Sequence, residues 1–380
     1  MIPYGRQDIS EDDIAAVVAV LQSDFLTQGP AVPAFEDAIC QVAGAAYGVA
    51  VNSATSALHI ACMALDLGPG DRLWTVPNTF VASANVGLYC GATVDFVDID
   101  ADTYNMSPAA LAEKLAAAER DGTLPKVLVP VHFAGQSADM AAIGALARQY
   151  GVRVIEDASH AIGATYRNRP VGDCAHSDIA VFSFHPVKII TTAEGGLATT
   201  NDAGLAEKMR LARSHGVTRE AHLMQADPAP GGWYYEQVSL GYNYRMTEMQ
   251  AALGLSQLTR LQDFIARRHT LARRYDALLA DLPVTLPAQS PDSHSALHLY
   301  PVQVDRRDAV FPALRAAGIG VNVHYIPVHT QPFWQVRGFK WGDFPVAEQY
   351  YRRAISIPLY SGLTEADQDR VVAALGAAVG

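Results

Sequence analysis

Between residues 47 and 200 the chain alternates short apolar runs with amphipathic ones. The apolar runs fall at 47–52, 72–76, 93–99, 126–131, 152–157, 178–184 and 196–200. Most are apolar along their whole length rather than at every second position, which suits strands covered on both faces. Between them, 56–66, 108–119 and 139–150 carry helical spacing. The alternation predicts an α/β fold with a large, mainly parallel sheet and helices on both faces. Ligands of such sheets bind at the carboxyl ends of the strands.

After residue 246 the pattern changes. Thr247 reads as an N-cap, and Leu258, Leu261, Ile265, Ala272, Tyr275 and Leu279 keep helical spacing, so one long bridging helix is expected. Beyond Pro283 a strand at 298–304, a helix at 308–317, a strand at 320–325 and a helix at 365–378 predict a smaller α+β unit. The expected division is a large domain over 1–255 and a bridging helix with the small domain over 256–380. The run 225–233, rich in Pro and Gly, reads as a surface loop.

Composition narrows the function classes. The 380 residues are 50% hydrophobic and 18% charged, as a compact protein requires. A net charge of −11 argues against nucleic acid or anionic membrane as a partner of the whole surface. No apolar run is long enough to span a bilayer and no secretory leader pattern opens the chain, so a cytoplasmic location is expected. Cys40, Cys62, Cys90 and Cys174 form no CxxC pair or zinc spacing, so buried reduced thiols and no metal are expected.

Three segments carry candidate chemistry. Asn52-Ser53-Ala54-Thr55-Ser56-Ala57-Leu58 joins a strand to a helix with small residues, the arrangement in which backbone N–H groups meet an anion; ordinary capping gives the same pattern. Neither GxGxxG nor GxxxxGK[ST] occurs. In Val154-Ile155-Glu156-Asp157-Ala158-Ser159-His160, a carboxylate at the exit of a buried strand calls for a cation, and a protonated pyridine nitrogen is one; a helix cap or ion pair is the alternative. In Phe182-Ser183-Phe184-His185-Pro186-Val187-Lys188, a lysine follows a strand end in a loop with few charges. Most loop lysines are solvated. One held in a dry site loses its proton and attacks carbonyls. Its place after the strand-end aspartate favours the second reading.

Taken in order, these segments with Pro77-Asn78-Thr79-Phe80, Glu194-Gly195-Gly196 and Gly241-Tyr242-Asn243-Tyr244-Arg245-Met246 resemble the DegT/DnrJ/EryC1/StrS sugar aminotransferases. The resemblance runs from Ile2 to about Pro358. It implies the fold-type I architecture of aspartate aminotransferase and pyridoxal 5'-phosphate as cofactor. Lys188 matches the Schiff-base lysine, Asp157 the partner of the pyridine nitrogen, and Phe80 the ring-stacking aromatic. His160 falls where relatives often carry Gln. Ala54, Thr55 and Ser183 match the phosphate cup, and Asn243 matches a residue reaching it from a partner subunit, which implies a homodimer with shared sites.

Within the family, Ser183–Lys188 with Thr191–Gly196 and the opening Ile2-Pro3-Tyr4-Gly5-Arg6-Gln7 resemble the pseudaminic-acid-pathway subgroup. That subgroup aminates C4 of a UDP-4-keto-6-deoxy-N-acetyl-L-hexosamine. The resemblance implies L-glutamate as donor and a nucleotide-linked keto sugar as acceptor. UDP, dTDP or GDP sugars aminated at C3 or C4 remain alternatives. Tyr4, Arg6, Arg245, His324, Tyr325 and His329 are the candidates for holding the sugar nucleotide. A family dehydratase would carry His in place of Lys188, and a non-catalytic regulator would be expected to lose Lys188 or Asp157; neither change is present.

Overall fold

The computed structural model describes residues 1–226 and 231–380. Part of the expected 225–233 loop therefore lies outside the described residues. Seven strands form the central sheet in the order Tyr47–Val51, Gly196–Thr200, Ile179–Ser183, Arg153–Asp157, Val127–Val129, Arg72–Thr75, Thr93–Phe96. Only Gly196–Thr200 runs against its neighbours; the other six are parallel. Every residue of Ile179–Ser183 and of Gly196–Thr200 is buried, as expected of strands sandwiched between helices. Each large apolar side chain so buried contributes about 1.5–3 kcal/mol.

The helices around the sheet begin and end where short-range chemistry dictates. Ser107 accepts the Ala110 N–H at 3.2 Å, Pro108 takes the first turn, and Gly122 closes the helix at φ +66°. Asp139 accepts the Ala142 N–H at 3.2 Å, and Gly151 ends that helix at φ +68°. Helices Glu11–Leu21, Ala31–Ala43 and Ala203–Arg213 add to those that the pattern predicts.

The expected long helix is two, Glu248–Leu258 and Leu261–Leu278. The first starts in a capping box between Thr247 and Gln250. The break at Thr259 and Arg260 has a tertiary cause. The Arg260 guanidinium reaches Asp8 Oδ1 at 2.8 Å and Asp13 Oδ2 at 2.5 Å, anchoring the N-terminal segment at the junction.

The C-terminal part packs its own buried cluster, in which Leu271 and Tyr275 meet Val302, Leu314, Ile355 and Val371. Its two-stranded sheet pairs Tyr300–Gln303 with Ala354–Ile357 antiparallel. The expected strand at 320–325 is instead an irregular segment, held by single bridges from Ile319 to Ile2 and from Asn322 to Ser356. Buried Arg268 donates to the carbonyls of Leu297, His298 and Leu359 at 3.0–3.2 Å, fixing the segment that carries His298. The Leu359 N–H in turn holds the Tyr4 carbonyl at 3.1 Å. Among the described residues no helix is long and apolar enough to cross a membrane.

Parallel strands share one direction, so Val51, Thr75, Asp157 and Ser183 all end at the same sheet edge. The reversed strand begins there, at Gly196. Five chain segments thus meet where ligands of open sheets bind.

Candidate active site

At that edge lies a cavity of about 600 Å³. Its floor is the start of helix Ala54–Ala64. The Ser53 hydroxyl accepts the Ser56 N–H at 3.1 Å, and the Ser56 hydroxyl donates to Asn52 Oδ1 at 2.7 Å. Capping uses the Ser56 donor and leaves the Ala54 and Thr55 N–H groups without a partner among the described residues, facing the cavity at the positive end of the helix. Gly196 lies against this turn. A Cβ there would stand 2.4 Å from the Ala54 nitrogen, so only glycine lets the reversed strand come this close. Ser183, paired in register with Gly196, lines the same cavity.

Asp157 ends its strand buried, at 5% exposure. Its Oδ2 accepts the Ser83 hydroxyl at 2.6 Å and its Oδ1 accepts the Ser159 N–H at 3.1 Å. Among the described residues no Lys, Arg or His lies within ion-pair distance of this carboxylate, which lines the cavity. Buried carboxylates normally have a cationic or metal partner. Lys188 lines the same cavity with its ammonium group free of hydrogen bonds among the described residues. Burial lowers its pKa from the usual lysine range to about 8, against a smaller opposing pull from Asp157.

The opposite wall is aromatic. His160 Nε2 lies 3.1 Å from the Tyr325 hydroxyl, and its ring centroid is 4.4 Å from that of His298. Tyr4 packs against His324 at 5.4 Å, and Phe80, 60% exposed, faces Tyr325 at 6.4 Å. Burial, followed by the Lys188 charge, holds His160 well below the usual imidazole range. The same two causes lower His324 to about 3. His298 is lowered by burial and then by His160 and Lys188. At neutral pH these rings are uncharged, and Nδ1 of both His160 and His298 is buried without a partner among the described residues.

Tyr4, Ala54, Thr55, Phe80, Asp157, His160, Ser183, Lys188, His324 and Tyr325 therefore meet in one cavity. Four sequence candidates do not join them. Asn243 is exposed and bridged to Ser214, Arg245 is bridged to Val51, and Arg6 is exposed. His329 is fully buried outside the cavity with Nε2 3.0 Å from Glu348 Oε1, the position of a core residue rather than a ligand contact. Ser83, Ser159, His298 and Asn322 line the cavity without having been singled out by the sequence. For Ser83 a signal exists: it lies one helical turn after Phe80. A second cavity, an open groove of about 780 Å³ beside Tyr89, Phe333 and Trp334, gathers none of the candidate residues.

The lining fits pyridoxal phosphate group by group. Free N–H donors at a helix start suit the phosphate, a buried carboxylate without a cation suits the ring nitrogen, and a lysine that loses its proton near neutrality suits the aldehyde.

Comparison with known proteins agrees with this chemistry. The model of the DegT/DnrJ/EryC1/StrS aminotransferase family matches residues 7–376. The spore coat polysaccharide biosynthesis protein SpsC of Bacillus subtilis is 42% identical, over 98% of this chain and 96% of its own. Among solved structures, Helicobacter pylori PseC, described as an aminotransferase involved in the biosynthesis of pseudoaminic acid, is 33% identical with a TM-score of 0.91, covering 100% of this chain and 99% of that one. The PLP form of the putative sugar aminotransferase Spr1654 from Streptococcus pneumoniae is 29% identical with a TM-score of 0.89, covering 100% and 98%.

Proposed function

The chain belongs to the DegT/DnrJ/EryC1/StrS aminotransferase family and is a pyridoxal-phosphate-dependent sugar aminotransferase, and we propose that it moves the amino group of L-glutamate to the 4-keto group of a UDP-4-keto-6-deoxy-N-acetylhexosamine. The observation that carries the choice of sugar is the whole-length similarity to PseC, whose name ties it to pseudaminic acid. A second reading keeps the chemistry and changes the sugar. It rests on SpsC, whose name ties it to spore coat polysaccharide. In that reading the acceptor is another UDP, dTDP or GDP keto sugar, aminated at C3 or C4.

The residues divide the work as follows. The Ala54 and Thr55 N–H groups and the Ser183 hydroxyl hold the phosphate. Phe80 covers the ring face. Asp157, kept in place by Ser83 and Ser159, holds positive charge on the ring nitrogen. When bound, pyridoxal phosphate supplies a carbonyl for the lysine and a ring that withdraws electrons. Lys188, freed by the amino donor, takes the donor's α-proton on Nζ and later returns a proton to the sugar carbon. General acid–base work of this kind is worth about 10²–10⁴-fold. A pKa of about 8 lets Nζ serve both directions near neutral pH. Tyr4, His324 and Tyr325 form the wall that the sugar meets. The histidines at this wall add no positive charge beside Asp157. In this proposal the large unit, 1–255, carries the cofactor and 256–380 closes over it. The enzyme works in the cytoplasm as a homodimer in which Asn243 of one protomer serves the site of the other.

Mass spectrometry of products from a panel of nucleotide-linked keto sugars with glutamate tests the assignment. Amination of the UDP-4-keto-6-deoxy-N-acetylhexosamine is expected. Product from a dTDP or GDP sugar alone would move the assignment to the second reading.

A further inference from the structure

Helix Ala54–Ala64 carries a buried polar group that transamination does not use. One turn beyond Thr55, His59 is 4% exposed and lines no part of the active-site cavity. A buried imidazole costs free energy unless it is hydrogen-bonded. His59 Nδ1 lies 3.1 Å from the Tyr244 hydroxyl, and its ring packs against Tyr242 and Tyr244 at centroid distances of 4.9 and 5.9 Å. The two tyrosine rings stack on each other at 4.9 Å, 12° from parallel.

Those tyrosines flank Asn243. The segment is held by single bridges from Asn243 to Ser214 and from Arg245 to Val51. The Tyr242 N–H donates to the Ala212 carbonyl at 2.7 Å and the Tyr244 N–H to the Arg213 carbonyl at 3.0 Å. Successive side chains of such a bridged segment point to opposite faces. With both tyrosines packed on His59, Asn243 is turned outward, and it is exposed. The Tyr244 carbonyl also accepts the Asn52 N–H at 2.8 Å, next to the Ser53 cap. The segment that carries Asn243 and the turn that presents Ala54 and Thr55 are therefore one packed unit.

We propose that His59 is a positioning residue for Asn243: it locks the Tyr242–Tyr244 stack and so sets the direction in which Asn243 leaves its protomer toward the cofactor phosphate of the other. The inference rests on the shared-site homodimer proposed above. Each helix Ala54–Ala64 then serves two sites, its own through the Ala54 and Thr55 N–H groups and the second through His59. A role confined to packing would act on the phosphate turn of its own protomer instead. The two roles differ in which site of the dimer suffers when His59 is changed.

Hybrid dimers separate them. One protomer carries Lys188→Ala, so borohydride labels only the Lys188 of the other, and labelling across a pyridoxal phosphate titration reads the affinity of that single site. His59→Leu on the Lys188→Ala protomer is expected to weaken this affinity roughly three- to tenfold, the worth of one ordinary hydrogen bond. The loss is expected to follow that protomer and not the labelled one, and Asn243→Ala should obey the same rule. Tyr244→Phe, which removes only the hydroxyl group, is expected to reproduce the loss. His59→Asn, which keeps a polar atom near the place of Nδ1, is expected to restore part of it. If His59→Leu does not fold, Tyr244→Phe carries the test. A loss that follows the labelled protomer, or no loss in either, would overturn the proposal while Asn243→Ala still acted across the dimer. If Asn243→Ala itself acted only within its own protomer, or had no effect, the shared site would fall and the proposal with it.

Discussion

The Ser83 hydroxyl donates a 2.6 Å hydrogen bond to Oδ2 of Asp157, tying the helix after Phe80 to the end of a central strand. A second contact, 2.9 Å from Thr79 Oγ1, fixes the hydroxyl from behind. Hydrogen bonds to a charged acceptor are worth about 1.5–3 kcal/mol. Ser83→Ala is therefore expected to keep the fold and lower kcat roughly tenfold, since about 1.4 kcal/mol is one decade. Ser83→Thr should restore most of the loss. Steady-state kinetics of both variants checks this; an unchanged kcat in Ser83→Ala would remove Ser83 from the account.

Lys188 gives the pH dependence. Only the neutral amine attacks a carbonyl, and its neutral fraction rises with pH through about 8. The rate at which the cofactor-free enzyme captures pyridoxal phosphate should climb tenfold per pH unit below that value and level off above it. Stopped-flow absorbance across pH 6–10 reads the curve. A midpoint in the ordinary lysine range near 10.4 would contradict burial as the cause.

Gly196 is predicted to be the least tolerant glycine of the site. A methyl group there would stand 2.4 Å from the Ala54 nitrogen and 2.5 Å from the Ser53 carbonyl carbon, both backbone atoms that cannot swing aside. Overpacking costs about 1–3 kcal/mol, so Gly196→Ala should weaken cofactor binding by roughly tenfold or more. Gly68→Ala, with nothing within 4 Å of its Cβ, is the control and should bind normally. Equilibrium dialysis of the two variants makes the comparison.

His329 should matter for stability and not for turnover. Its buried contact with Glu348 lies away from the cavity, and Glu348 also accepts the Gly342 N–H at 2.6 Å. His329→Phe removes one partner of a buried carboxylate, leaving it the Gly342 N–H and the Arg352 guanidinium at 3.7 Å, and is expected to cost about 1–3 kcal/mol in urea unfolding, with kcat/KM unchanged. A large loss of kcat/KM in a folded variant would return His329 to the substrate site.

What the sequence revealed and what it hid follow from the range of the interactions. Strand runs, the Ser53 and Thr247 caps, and the order of Asp157 before Lys188 are local signals, and the structure places those elements within a few residues of the pattern. The Thr259–Arg260 break was hidden because both flanking helices keep the same apolar spacing, and its cause, Asp8 and Asp13, lies far away in sequence. The 320–325 run alternates like a strand but finds only single bridges, while Ala354–Ile357, too short to stand out behind Arg352 and Arg353, forms the ladder. His298 enters the site through the Arg268 carbonyl contacts, which no local pattern encodes.

The central claim is that the Lys188 amine bonds the cofactor aldehyde. Borohydride reduction of the enzyme reconstituted with pyridoxal phosphate, followed by peptide mapping, tests it most directly. The account predicts a pyridoxyl group on Lys188 and none in Lys188→Ala. No adduct with excess cofactor, or an adduct on another lysine of the folded enzyme, would contradict it.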